Sequence, residues 1–408
     1  YADDSTYCYE YDGSNSSTRN TVGGIMSSKN WLSTNYFLQF AVNGVFLPFW
    51  ILYLTGVKNL TVLEASSIFS MLYLARFLGG IFLNPYLLKR YNISLSLKIS
   101  VIAGILLALS YGITSNKIIL TLITFMFGLV YYTVAPFIES LASLFLKEEG
   151  IDYGKARTWG SVSFTLVGIA AGGIIGYVGS VALYYILIIL LVLYVVFMFL
   201  PQPKLVRTLT VNKSDNNNTG KLYSWVLKDK NAILLILVIF LYQLSHTAYN
   251  NYNALYLESM NISAKWMSGL ILNISVIAEI LFFIFSKKII GKIKPTQLLV
   301  FCGIGAIIRW LMLAIFHNIY VFVVMQTFHA ITFAVGHIAF ILILNNRFNT
   351  EKIIDMQILY TAICYQLSMT IGLYIMGAIW DINSSLVFFV SAVIALIGTV
   401  FATRIREK

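Results

Sequence analysis

Pro201-Gln202-Pro203-Lys204 opens a polar break that continues through Asn212-Lys213-Ser214-Asp215-Asn216-Asn217-Asn218 and ends near Lys230. Proline lacks the amide hydrogen that a helix needs, and a run of Asn, Ser, Lys and Asp cannot bury itself in an apolar phase. On each side of this break the chain is apolar in long stretches. A membrane-crossing helix needs about 20 such residues. Candidate spans fall near 31–54, 63–87, 95–114, 118–146, 156–178 and 181–200 before the break, and 231–257, 266–286, 296–316, 318–345, 353–379 and 384–403 after it. The break therefore divides twelve expected spans six and six. Composition agrees, with 59% hydrophobic residues, 11% charged residues and a mean hydropathy of +0.80, against roughly half apolar and a quarter charged in a soluble domain.

The net charge of +11 raises the question of a nucleic-acid partner, and the positions of the cations answer it. With an inside N-terminus, Lys89, Arg90, Lys98, Lys147, Lys155, Lys204, Arg207, Lys213, Lys221, Lys228, Lys230, Lys287, Lys288, Lys292, Lys294, Arg347, Lys352, Arg404, Arg406 and Lys408 all fall on one side, while Lys58, Lys117 and Lys265 take the other. This is the positive-inside bias; it predicts both termini in the cytoplasm and needs no nucleic acid. Cys8, Cys302 and Cys364 are scattered, without zinc or disulfide-framework spacing. No P-loop or hydrolase motif is present, so neither an enzyme, a metal nor another cofactor is expected. The expected organisation is a polar tail 1–29, six helices in 30–200, a cytoplasmic loop 201–230, six helices in 231–403 and a tail 404–408. Residues before Met26 read as an extension preceding a native start.

Five ionisable residues, Glu139, Arg157, Glu279, Arg309 and His329, lie inside the apolar stretches. An Asp, Lys or Arg at the centre of a membrane helix costs about 2.5–3.5 kcal/mol on insertion scales, so such groups face a partner or a wet cavity and mark a pathway.

The motifs carry a resemblance. Asn30-Trp31-Leu32 with Gly44-Val45-Phe46-Leu47-Pro48-Phe49-Trp50, then Ala75-Arg76-Phe77-Leu78-Gly79, and above all Tyr153-Gly154-Lys155-Ala156-Arg157-Thr158-Trp159-Gly160-Ser161 resemble the phenylpropionate permease branch of the major facilitator superfamily, related to lactose permease. The resemblance runs from about Asn30 to Arg404. It implies an all-α membrane protein of two six-helix bundles, with a solute bound near the midplane between them.

Residue by residue, the resemblance implies that Glu139, in Ala135-Pro136-Phe137-Ile138-Glu139, and Arg157 contact substrate as a carboxylate and guanidinium pair. It implies that Glu279, Arg309 and His329 occupy the positions of the proton-coupling groups. One departure stands out. Lactose permease carries a second glutamate three residues after the histidine, where this chain has Thr332. The seventh-helix acids of that permease are also unmatched, with His246 and Tyr249 at the similar positions, so a coupled proton falls to Glu279 and His329.

Helical spacing adds to the candidate site. At 100° per residue His246, Tyr249, Asn250 and Asn253 fall at roughly 0, 300, 40 and 340° on one face. Asn35, Gln39 and Asn43 make a polar stripe in the first span, and Gln326, His329, Thr332 and His337 make one in the tenth. Single stripes are explained by interhelical hydrogen bonds of about 0.6 kcal/mol each; three together favour a wet pathway. Asn43, His246, Tyr249, Asn250 and Trp159 therefore join Glu139 and Arg157 as substrate-binding candidates. Gly168, Gly172 and Gly176 read as a helix-packing stripe, and Arg76 as an anchor or a snorkelling side chain.

The sequence thus predicts a monomeric secondary transporter of the inner membrane, with the bilayer, a proton and a small organic solute as its partners. The solute is an aromatic or other organic acid, or alternatively a sugar or nucleoside. A non-transporting sensor on the same fold is the alternative of another class.

Overall fold

The computed structural model describes residues 26–208, 225–260, 267–290 and 293–405. The tail 1–25 with Cys8, the polar run of the central loop, Lys213, Lys221, Lys265, Lys292, Arg406 and Lys408 lie outside the described residues. Twelve helices follow one another: α1 Ser28–Gly56, α2 Val62–Leu83, α3 Ile93–Ile113, α4 Lys117–Leu146, α5 Tyr153–Val178, α6 Ala182–Phe199, α7 Lys230–Ser259, α8 Ser268–Ile290, α9 Pro295–Ile315, α10 Ile319–Arg347, α11 Asp355–Trp380 and α12 Leu386–Ala402. Each expected span holds one of them. The α8 edges moved most at the C-terminal side, from an expected 266–286 to Ser268–Ile290.

Local chemistry sets where these helices begin. Ser27, Asn92, Asn116, Asp152, Asp229 and Asn318 each accept a hydrogen bond from a backbone N–H of the first turn, and Thr61 with Glu64 forms a capping box on α2. Asp152 matters for the site because it fixes the start of α5. Its carboxylate accepts from Lys155 N at 3.1 Å, and that hydrogen bond, with the charge of Lys155 behind it, holds the carboxyl below its usual range.

Three helices carry π-helical segments: Gly79–Leu83 in α2, Ala330–Val335 in α10 and Tyr360–Leu367 in α11. Such segments cluster at functional sites because the wider turn re-aims side chains. All three border the cavities described below.

With short connections the helices alternate in direction, so the two ends of the bundle differ. The start of α1 and the end of α12 share one end; the ends of the odd-numbered helices and the starts of the even-numbered ones share the far end. The first and last six helices form two bundles, which meet through α2 with α11, α5 with α8, and α1 with α7. Adding six to each helix number maps the α2–α11 contact onto α8–α5, so these contacts are equivalent under the pseudo-two-fold of the fold.

The contacts between bundles gather toward the far end. Gly172 of α5 lies against the backbone of Gly269 in α8. Tyr252 donates to Ser66 Oγ at 2.8 Å and Tyr73 to Asn251 at 3.3 Å. Asp381, just past α11, accepts from Val62 N at 3.2 Å and Leu63 N at 3.1 Å, so a carboxylate from one half caps the positive end of a helix from the other. Removing it should loosen this closure. Ser66 is fully buried, and in a Ser66→Cys background the change Asp381→Ala is expected to raise far-side labelling by an impermeant maleimide about tenfold, the worth of a helix cap. Unchanged labelling would show that the cap does not hold the halves together.

Candidate functional site

Two groups of polar side chains lie one in each half. In the first half, a 3₁₀ turn at Tyr131–Thr133 interrupts α4 just before the segment that carries Glu139. Arg157, in the second turn of α5, points its Nε at Glu139 Oε1, 3.4 Å away. Its guanidinium lies 4.3 Å from the centre of the Phe40 ring and 5.5 Å from that of Tyr36. The side chains of Glu139 and Arg157 remain 42% and 35% exposed, so the pair is partly accessible and not sealed in the interior. Glu139 lines a cavity of about 540 Å³ between α2, α4 and α11, well within the range of small-molecule sites. Trp159, half exposed, lines neither this cavity nor the central one.

The second half holds a connected network. Glu279 of α8 places Oε2 3.5 Å from His329 Nε2. His329 Nδ1 lies 3.4 Å from Arg309 Nη1, which donates to Thr332 Oγ1 at 3.0 Å. The structure therefore inserts His329 between the glutamate and the arginine, and among the described residues Arg309 forms no ion pair with a carboxylate. Arg309 is fully buried, with Nε and Nη2 unpartnered. It compensates by lying 3.8 Å from the Tyr249 ring centre and 4.8 Å from that of Trp310. Desolvated cation–π contacts reach about 2 kcal/mol each, comparable with the cost of a membrane charge. The Tyr249 hydroxyl in turn donates to Gln326 Oε1 at 2.6 Å, and Gln326 meets Asn253 at 3.5 Å.

Tyr249, Asn250, Asn253 and His329 line a central cavity of about 150 Å³, faced by Phe164 and Gly168 of α5 and Asn273 of α8. Phe164 and Asn273 escaped the sequence reading. The available signal for Phe164 was Gly44: a Cβ there would sit 2.8 Å from Phe164 O, so α1 and α5 approach closely only because residue 44 is glycine.

His246 takes a different place. It is buried, its Nδ1 is 2.7 Å from Tyr242 O, and its ring stands edge-on to Trp310. It faces a small void inside the second half, beside Cys302 and His337, and not the space between halves. Asn43 is buried with its Oδ1 unpartnered and lies outside the central cavity's lining, which takes Gly44 instead. In the same stripe Asn35 donates to Trp31 O at 2.9 Å and accepts from Tyr194 at 3.2 Å, a packing role within the first half.

Comparison with known proteins fits this architecture. The MFS_1 like family model matches residues 30–391. The chain is 26% identical over 375 residues to the "Probable 3-phenylpropionic acid transporter" of Escherichia coli (strain K12), covering 91% of this chain and 96% of that one. It is 22% identical over 279 residues to the "Uncharacterized transporter YwbF" of Bacillus subtilis (strain 168), covering 67% of each. Among solved structures, the nucleoside transporter NupG superposes with a TM-score of 0.81 at 16% identity, over 94% of this chain and all of NupG. The POT family transporter PepTSo superposes with a TM-score of 0.66 at 11% identity, over 92% and 97% of the two chains. With twelve apolar helices in two bundles and a family match across nearly its whole length, this chain is a multi-pass membrane protein and a transporter, not an enzyme, and it belongs to the MFS_1 like family of the major facilitator superfamily.

Proposed function

We propose that the protein is a proton-coupled symporter that moves a small aromatic or other organic acid by alternating access, as a monomer in an inner membrane with both termini cytoplasmic. The observation that carries this reading is the division of charge between the two halves. A partly exposed ion pair, Glu139 with Arg157, sits in one half with Glu139 lining the large cavity; in the other, beside the central cavity, the proton acceptors Glu279 and His329 touch each other and His329 abuts Arg309. The relative matched along 96% of its length is named as an aromatic acid transporter, which supports the acid class. In this orientation the closed far end is external and the 540 Å³ cavity opens toward the cytoplasm.

A sugar or nucleoside is the second reading, favoured by the exposed carboxylate of Glu139. A carboxylate accepts hydrogen bonds from hydroxyl groups and repels a carboxylate solute. Counterflow in proteoliposomes separates the two. Glu139→Gln is expected to leave exchange of 3-phenylpropionate within about threefold of wild type, because an anion gains nothing from Glu139. If the solute were a sugar or nucleoside, the same change would weaken exchange about 10- to 100-fold by loss of charge-assisted bonds. Exchange of hydroxyl-rich solutes with no exchange of any acid would overturn the acid reading.

A further inference from the structure

The cavity that Glu139 lines contains a second charge that the site described above does not use. Arg76 lies 14 residues into α2, about 21 Å along the helix from its far-end start, at a depth where an unpaired guanidinium is costly. Of the side chains lining this cavity, Arg76 and Glu139 are charged. Glu139 is ion-paired with Arg157, whereas Arg76 has no ion pair among the described residues and its buried Nη1 has no hydrogen-bond partner. The guanidinium is steadied by rings instead, 4.3 Å from the centre of Tyr132 and 5.5 Å from that of Tyr73.

A snorkelling arginine would carry its head to water, which a buried Nη1 does not do. An anchor holding the halves together would have a partner on the other half, and none is present among the described residues. What Arg76 has is space. Gly80, on the next turn, has nothing within 4 Å of a built Cβ, while Gly79 and Gly128 at the cavity's edge let α2 and α4 pack closely. Asn84 and Gln366, 8% and 6% exposed, complete its rim, each with an unpartnered side-chain oxygen. Rotation of either amide presents NH₂ donors in place of that oxygen.

We propose that Arg76 is the carboxylate anchor of this transporter: the solute's acid group docks on its guanidinium fork, with the Asn84 and Gln366 amides beside it, while Tyr132 flanks the solute's apolar body. A guanidinium matches a carboxylate bidentately and keeps its charge at any accessible pH. This resolves the electrostatic difficulty of the acid reading, since the Glu139–Arg157 pair is already neutral and Arg309 is sealed behind Tyr249 and Thr332. The inference rests on the proposed acid substrate and names the group that would recognise it.

The test compares 3-phenylpropionate with its uncharged amide in counterflow, measuring KM and kcat separately. Wild type is expected to prefer the acid. Arg76→Gln should raise KM for the acid about 10- to 100-fold, leave KM for the amide nearly unchanged, and so erase the preference. Arg76→Lys, which keeps a point charge without the fork, should retain the preference with a smaller rise in KM. It also reports on the charge if the Gln variant fails to fold, as judged by thermal unfolding in detergent. Should wild type exchange no carboxylate solute, the acid reading and this anchor both fall. Should wild type exchange the acid while Arg76→Gln folds and keeps the same KM and acid preference, the anchor alone is wrong.

Discussion

Glu279→Gln is expected to leave solute exchange within about threefold of wild type while reducing accumulation driven by a proton gradient to the level of passive equilibration. Glu279 approaches His329 at 3.5 Å, and its side chain is only 23% exposed. Glutamine keeps the length and the hydrogen-bonding ability of that side chain but cannot carry a proton. Exchange of labelled for unlabelled solute needs no net change in protonation, so it survives; uphill transport needs one proton-loading group per cycle, so it fails. His329 Nδ1 reaches Arg309, and Arg309 reaches Thr332, so no second carboxylate among the described residues is in contact to take over. Side-by-side assays of counterflow and of pH-driven uptake make the comparison. Full accumulation by the variant would remove Glu279 from the coupling scheme.

The second large effect is mechanical. A Cβ on Gly172 would come closer than 3.0 Å to Gly269 Cα and N, and a Cβ on Gly269 closer than 3.0 Å to the carbonyl oxygens of Ile169 and Gly168. These are backbone atoms that no rotamer change can move aside, so α5 and α8 must part at the far end. Overpacking of this kind costs about 1–3 kcal/mol, which is about a 5- to 150-fold shift in the ratio of closed to open far end. Gly269→Ala is therefore expected to cut transport at least about fivefold, and Gly172→Leu further. Both should raise labelling at Ser66→Cys from the far side. Gly80, with nothing within 4 Å of a built Cβ and remote from this contact, is the control for closure, and Gly80→Ala should leave far-side labelling at Ser66→Cys unchanged. Normal transport by Gly269→Ala would mean that this contact does not form during the cycle.

The twelve helices were legible because a membrane span writes itself into the sequence as about 20 apolar residues, and the two halves because Pro201 to Lys230 cannot join them as helix. The pairing of charges was less so. Sequence spacing places Glu279, Arg309 and His329 on three helices but says nothing of their order in space, and the structure sets His329 in the middle. The polar face of α7 shows why a wheel projection failed in part. Tyr249, Asn250 and Asn253 do line the central cavity, but the helix is broken at His246, between Lys230–Ser245 and Thr247–Ser259. The break shifts the 100° phase and turns His246 into the second half. The π segments of α2, α10 and α11 disturb the phase in the same way. Trp159 sits two residues from Arg157, about 200° around the helix, and so cannot share its face. Arg76 was ambiguous because its sequence reveals neither the rings that hold it nor the cavity that opens beside it.

Purified protein in liposomes, loaded with a pH-sensitive dye and held without a gradient, tests the account most directly. Addition of 3-phenylpropionate should draw protons inward with the solute at a rate that saturates with its concentration, and Glu279→Gln should abolish that signal while labelled solute still exchanges. Solute exchange without proton movement in the wild type would contradict coupling, and the absence of exchange with every acid, sugar and nucleoside tried would contradict the proposed transport activity itself.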